Sequence, residues 1–197
     1  MQTFWDERYA GEEYVYGISP NAFFKECLKN LKPGILLLPA EGEGRNAVFA
    51  ASLGWETEAF DFSRVARQKA EALARQAGQA LRYTTHDISS FPWPENAHDA
   101  VGLFFVHVPE PQRAYLHRQV IRSLKPGGHV ILEAFSPGQM AFSSGGPRNP
   151  ELLYALDQLL ADFEGLEFLR AEALETDLQE GQFHSGKAAV VRLFAKK

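Results

Sequence analysis

The sequence predicts a doubly wound α/β sandwich, and three observations carry that prediction. Apolar runs of strand length alternate along the chain with segments of helical periodicity. The first run, Ile35-Leu-Leu-Leu-Pro39, ends in a tight Gly42-Glu43-Gly44 turn that opens a helix at Arg45. The fourth, Ala100-Val-Gly-Leu-Phe-Phe-Val106, is apolar almost throughout, which suits a parallel strand covered on both faces.

Each element has a local reason. The first helix is expected near Ser19 as N-cap, with Pro20 in its first turn. A strand over 35–39 leads through the glycine turn to a helix from Arg45, stopped at Gly54. The second strand covers 56–60. Ser63 then caps a helix whose Val65, Ala66, Ala70, Leu73, Ala74 and Ala77 share one face, closed by Gly78. The third strand is 81–84 and the fourth 100–106. Pro111 starts a helix to Leu124, and Pro126-Gly127-Gly128 turns into a fifth strand over 129–135. Asn149-Pro150 opens a helix that reaches Phe163. The last two strands, 166–173 and 188–195, are joined by too few residues for a crossover helix, so they should pair antiparallel. The sum is a mostly parallel seven-stranded sheet with an antiparallel last strand and helices on both faces. Residues 1–197 should form one domain, with 1–18 an aromatic N-terminal arm.

Composition narrows the function classes. The 197 residues are 45% hydrophobic and 23% charged, enough apolar surface for a full core. A net charge of −5 without a Lys/Arg run weighs against a nucleic-acid partner. Cys27 is the only cysteine, so no disulfide can form within the chain, and a reducing cytoplasm fits. Its neighbours Phe23, Phe24, Leu28 and Leu31 mark it as core. The N-terminus has no basic region or apolar signal core, and no apolar run approaches the ~20 residues of a membrane span. Neither a membrane nor a metal partner is expected.

The chemistry should lie in the loops beyond the carboxyl ends of the strands, at 40–46, 61–63, 85–91, 106–111 and 136–149, with the turn at 174–187 on the same side. Gly42 and Gly44 let a ligand sit against bare peptide. Asp61 ends the second strand, and its distance from Gly44 is close to the ~20 residues that separate a glycine turn from a ribose-binding acid. Two roles fit it: accepting both ribose hydroxyls, or assisting the cap of the following helix, which Ser63 already supplies. Loop 136–148 is long for a compact domain, as a lid or substrate loop would be.

The Gly-Glu-Gly-Arg-Asn turn, Asp61, Asp87-Ile88 after the third strand and Leu124-Lys-Pro-Gly-Gly128 occur in an order that resembles the class I S-adenosylmethionine-dependent methyltransferases. The opening Phe4-Trp5-Asp6-Glu7-Arg8-Tyr9 and the segment Tyr14-Val-Tyr-Gly-Ile-Ser-Pro-Asn21 are similar to small bacterial methyltransferases related to the tellurite-resistance and thiopurine enzymes. The resemblance covers nearly the whole chain. It implies a Rossmann-like sheet, S-adenosylmethionine as cofactor, and in-line methyl transfer to a small molecule such as a thiol or chalcogen oxyanion.

Carried onto this chain, the resemblance places Glu41, Gly42, Gly44, Arg45, Asn46, Asp61, Phe62, Ser63, Asp87 and Ile88 at the cofactor. Asp87 would accept from the adenine amine while the Ile88 N–H donates to a ring nitrogen, and Phe62 and Ile88 would flank the ring. Asp87 as a plain loop cap is the alternative. The chain departs from the family where Leu38 replaces the usual acid and Ala40 the usual first glycine. Glu41 stands nearby, either taking over the methionine end or lying as an exposed turn acid. Tyr14 and Tyr16 of the arm either close over the sulfonium by cation–π attraction or strap the arm down.

The sulfonium is already an activated donor, so alignment and water exclusion carry most of the rate. A base helps with a thiol or hydroxyl acceptor, and His107 and His184 are the candidates. Each could instead bond loop backbone. Two other functions fit the pattern: a non-catalytic sensor that binds the same cofactor, or a nicotinamide-dependent oxidoreductase. The second lacks the third glycine, where Ala47 stands. A monomer or a homodimer is expected.

Overall fold

The computed structural model describes residues 2–197. Its strands are β1 (Ile35–Pro39), β2 (Glu56–Asp61), β3 (Arg82–Thr85), β4 (His98–Phe104), β5 (Leu124–Phe135), β6 (Glu167–Gln179) and β7 (Ser185–Lys196). The α-helices are α1 (Gln2–Tyr9), α2 (Ala22–Leu28), α3 (Arg45–Ser52), α4 (Arg64–Gln76), α5 (Gln112–Ser123) and α6 (Leu156–Asp162). Strand order is β3-β2-β1-β4-β5-β7-β6. β7 runs antiparallel to its neighbours, as the short last connection requires. This is the Rossmann-like, mostly parallel seven-stranded arrangement expected from the sequence. Among the described residues, no helix is long and apolar enough to cross a membrane.

The chain divides into two compact units, one running to Pro92 and including Glu180–Phe183, the other comprising Trp93–Gln179 and His184–Lys197. In the first unit, β1 pairs parallel with β2 and β2 with β3. Leu36, Leu37 and Leu38 are wholly buried, so the run that reads as a two-faced strand is one. Gly44 (φ +86°) lets α3 approach α4: a Cβ there would lie 2.6 Å from the Ala70 Cβ. Ser63 caps α4 as expected, its Oγ accepting the Ala66 N–H at 3.1 Å.

In the second unit, β4 pairs parallel with β5, and the β6–β7 hairpin closes the sheet edge antiparallel. Ala100, Val101, Val130 and Ile131 are buried completely. The β6 and β7 strands reach Gln179 and Ser185, so the expected 174–187 turn shrinks to a short tip.

Three local expectations change. The cap of α2 is Asn21, not Ser19: its Oδ1 accepts the Phe24 N–H at 2.9 Å, and its own N–H donates to Asn46 Oδ1 at 2.8 Å. A tertiary partner thus chooses between two equally good capping residues. The arm, which shows no helical period, nevertheless forms α1, packed on α4. The single helix expected from Asn149 to Phe163 is interrupted. A 3-10 turn at Pro150–Leu152 gives way to extended Leu153, whereas Tyr154 sends its N–H to the Phe135 carbonyl and its hydroxyl to the Val108 carbonyl. These bonds hold Tyr154 out of a helix despite the periodic leucines.

Candidate cofactor site

In the first unit the tips of β1 and β2 are tied to each other. The Gly42 N–H donates to Asp61 Oδ2 at 3.1 Å and the Ser63 N–H to Asp61 Oδ1 at 2.8 Å. Tyr83, from β3, donates its hydroxyl to the Gly42 carbonyl at 2.6 Å. Asp61 is only 4% exposed. Burial drives its pKa up to about 6 against the backbone donors of Ser63, Gly42 and Phe62, with Asp6 of α1 raising it further. Those three N–H groups leave part of the carboxylate's four lone-pair sites for a ligand. The bracing role expected of Asp61 is the one these bonds display, at the start of α4.

Glu41 is not an exposed turn acid. Its Oε1 accepts the Ala47 N–H at 2.8 Å and its Oε2 meets Asn46 Nδ2 at 3.5 Å, so the carboxylate seats on the first turn of α3. Burial raises its pKa to about 7, opposed by the Ala47 N–H and the nearby Arg45 cation. Ala40 adopts φ +51°, a left-handed conformation that favours glycine.

Arg45 and Asn46 keep their side chains for structure. Arg45 Nη2 pairs with Glu180 at 2.8 Å and Nη1 reaches the Ser19 carbonyl at 3.4 Å. Asn21 Nδ2 donates to the other Glu180 oxygen at 2.9 Å. Nothing local in the sequence marks Glu180, because it comes from the β6–β7 tip. Phe62 is half-buried beside the Asp61 carboxylate. Asp87 is exposed and caps its own loop, Oδ1 accepting the Ser89 N–H at 2.9 Å and the Ser89 hydroxyl at 2.7 Å. Ile88 is buried. Behind them Phe91 stacks on Phe60, ring centres 4.1 Å apart.

The arm lies over the glycine turn through Tyr9, while Tyr14 takes the strapping alternative. Tyr9 approaches Gly42 so closely that a Cβ there would lie 2.9 Å from its hydroxyl. Trp5 stacks on Tyr9, and Tyr9, Val15 and Ala66 form a small buried cluster with Trp5, Tyr16 and Val65 against it. Tyr14 instead donates its hydroxyl to the Lys69 carbonyl on α4 at 3.1 Å. Asp6 accepts from the Ser63 hydroxyl at 2.5 Å, which brings α1 to the tip of β2. Asp6, Glu43, Lys69 and Tyr83 also pack around the turn and were not among the expected site residues. Asp6 lies in the arm motif with Tyr9 and Glu43 at the centre of the glycine turn, whereas Lys69 and Tyr83 carry no local signal.

In the second unit His107 and His184 share an aromatic wall. His184 meets the edges of Phe105 and Phe135 at 4.4 and 5.2 Å between ring centres. His107 packs on Phe135 at 5.7 Å. Its Nε2 accepts the Phe135 N–H at 3.2 Å, which makes Nδ1 the protonated nitrogen, donating to the Leu152 carbonyl at 2.7 Å. Burial lowers the His107 pKa to about 4. With both nitrogens on backbone, the ring holds the interrupted 150–155 segment to β5 and has no lone pair for a substrate proton. The sequence could not reveal this, since both partners are main-chain atoms. The long 136–149 segment is also pinned: Gln139 accepts from Ala189 N–H at 2.8 Å and donates to Ser144 and Gly145 at 3.0 Å. Gly146 (φ +84°) lies against Phe135, where a Cβ would stand 2.7 Å from the ring. This segment is a wall rather than a lid. Among the described residues, no group of three or more His, Cys, Asp or Glu could hold a metal ion.

The glycine turn, the Asp61 brace and the sheet order can be set beside known proteins. A family model described as a methyltransferase domain matches residues 38–128. The structure is similar to that reported for the conversion of a disulfide bond into a thioacetal group during echinomycin biosynthesis (18% identity, TM-score 0.81, covering 100% of this chain and 91% of that one). It is similar to a SAM-dependent methyltransferase from Methanosarcina mazei (18%, TM-score 0.70, 87% and 96%). It also resembles TehB from Haemophilus influenzae (15%, TM-score 0.72, 100% and 66%). At such identities the structural likeness shows the fold alone. No curated protein matches the sequence. A methyltransferase domain of the matched kind would use S-adenosylmethionine as its cofactor. The donor set suits it: one buried carboxylate with spare acceptor sites at the β2 tip, a second at the head of α3, and apolar Ile88 at the β3 end.

Proposed function

We propose that the chain transfers a methyl group from S-adenosylmethionine to a small-molecule nucleophile, a thiol or chalcogen oxyanion. The tellurite-resistance and thiopurine branch is the subtype that best suits the arm motif and the TehB likeness. The observation that carries the reading is the Asp61–Gly42 brace, which fixes a buried acceptor beside the peptide of the glycine turn. Asp61 takes the ribose hydroxyls, and Glu41 stands in for the missing acid at Leu38 by facing the ammonium of the methionine end. The main chain of the glycine turn and Ile88 complete the site, while Asp87 retains an exposed oxygen for the adenine amine. Because Asp61 is covered, a ligand reaching it shifts part of the arm, and the returning Trp5 and Tyr9 exclude water.

The bound cofactor supplies an activated methyl group. Of the two histidines, His184 is the base for an acidic acceptor, and Phe105 and Phe135 strip water from the nucleophile it serves. His107 holds Phe135 in place. A small-molecule partner, no nucleic acid and a reducing compartment such as the cytoplasm complete the proposal, with a monomer or homodimer as the assembly.

Calorimetry with S-adenosylmethionine, S-adenosylhomocysteine and NAD tests the reading. Both adenosyl ligands should bind and NAD should not. Binding of NAD alone would sink it. Turnover on a panel of thiols and of selenium and tellurium oxyanions then separates an enzyme from a sensor.

A further inference from the structure

Lys69 is a lysine on α4 that no motif singles out, yet it gathers one loop around itself. Its ammonium meets the Glu13 carbonyl at 2.6 Å, the Gly11 carbonyl at 2.9 Å, the Tyr9 carbonyl at 3.4 Å and Glu43 Oε1 at 2.6 Å. A lysine has three protons, and its three hydrogen bonds go to the three carbonyls, with Glu43 Oε1 held as an ion pair. The Tyr14 ring lies 5.0 Å from the same ammonium. Glu43 completes the arrangement from the glycine turn. Its Oε2 accepts the Val15 N–H at 2.8 Å and the Tyr16 N–H at 3.4 Å.

An ordinary surface ion pair contributes little. This one differs, since the side chains of Lys69 and Glu43 are only 15% and 4% exposed. It also differs in what it holds. Residues 10–13 are exposed and bury no apolar side chain that would fix their path, so polar bonds must do so. The loop they form returns the chain from α1 to Val15 and sets where Tyr9 stops, with its hydroxyl on Gly42. The middle residue of the glycine turn and a lysine one turn along from the Ala66 contact thus latch the arm from opposite sides.

We propose that Lys69 and Glu43 are positioning residues that latch the N-terminal arm over the glycine turn and thereby set the affinity for the cofactor. This rests on the cofactor reading above. Neither side chain touches the cofactor; both act through Tyr9 and the loop that follows it.

The test uses the full chain, S-adenosylhomocysteine as the calorimetric probe, and hydrogen exchange without ligand. Lys69→Met should weaken probe binding about tenfold or more and speed exchange over residues 10–16, with the sheet amides unchanged. Lys69→Arg, which keeps charge and donors, should stay within about threefold of the unmodified chain. Glu43→Gln, which keeps the acceptor for Val15 but loses the charge, should fall between them. A double-mutant cycle with Tyr9→Ala should be strongly non-additive, because the second change has no latched tyrosine left to lose. Unchanged binding by Lys69→Met, unchanged exchange over 10–16, or additive effects with Tyr9→Ala would overturn the latch. Absence of binding by the unmodified chain would overturn the cofactor reading and the latch with it, so the two failures are distinguishable.

Discussion

Replacing Asp61 by Asn tests the centre of the site, and its effect can be worked from the geometry. The carboxyl titrates near pH 6, raised by burial. Ribose hydroxyls donate best to the ionised form, so affinity should follow the ionised fraction, roughly one-eleventh at pH 5 and ten-elevenths at pH 7. The apparent Kd for S-adenosylhomocysteine should therefore improve about tenfold over that range, about 1.4 kcal/mol. Asp61→Asn should remove this step and weaken binding at pH 7 by about 1.5–3 kcal/mol, the size of a hydrogen bond to a charged group.

Unfolding would not explain such a loss. The folded pKa lies above the unfolded value, so the group favours the fold at low pH and costs stability as pH rises from about 4 through 6. At pH 7 that cost is up to about 3 kcal/mol, and Asn removes it while losing one backbone bond of about 1–3 kcal/mol. The thermal midpoint should stay close to the unsubstituted value. Glu41, titrating near 7, is controlled by Glu41→Gln, which should leave the lower step intact. A Kd that is flat from pH 5 to 7, or full affinity in Asp61→Asn, would return Asp61 to bracing α4 alone.

Gly44→Ala should destabilise by at least about 2 kcal/mol in denaturant titration, since it combines a left-handed backbone with a Cβ 2.6 Å from Ala70. Ala40→Gly should act in the opposite sense: relief of about 1–2 kcal/mol at φ +51°, less about 0.4–1 kcal/mol of added unfolded-state entropy, leaves a gain of up to about 1.6 kcal/mol. His107→Ala should cost about 2 kcal/mol or more by orphaning the Phe135 N–H and the Leu152 carbonyl. Because the folded His107 pKa is near 4 and the unfolded one near 6.5, its contribution is full above pH 6.5 and is lost as pH falls toward 4; the variant should lack that slope in midpoint against pH. Once an acceptor is found, His184→Ala should lower kcat with little change in cofactor Kd, and wild-type turnover across pH 6–9 would leave alignment as the sole source of rate.

By itself the sequence determined the layered sheet, the glycine turn and the antiparallel last strand. These follow from apolar period, from conformations open chiefly to glycine and from connection length, all of which act within a few residues. Ser63 was legible as a cap for the same reason. Tertiary structure alone decided what each polar side chain near the turn does. Arg45 turns to Glu180 and Asn46 to Asn21, although both belong to the glycine-turn motif, because their partners arrive from distant segments. His107 became a backbone clamp because Phe135 and Leu152 present main-chain groups that no side-chain pattern encodes. The helix from Asn149 broke for a similar reason, when a buried tyrosine found bonds at Phe135 and Val108. The arm forms α1 without an amphipathic pattern, its Tyr9 buried with Val15 and Ala66 and its Asp6 bonded to the Ser63 hydroxyl. Hydrophobic period is a property of neighbours in sequence; partners for buried charge and backbone are set only when the folded chain brings them together.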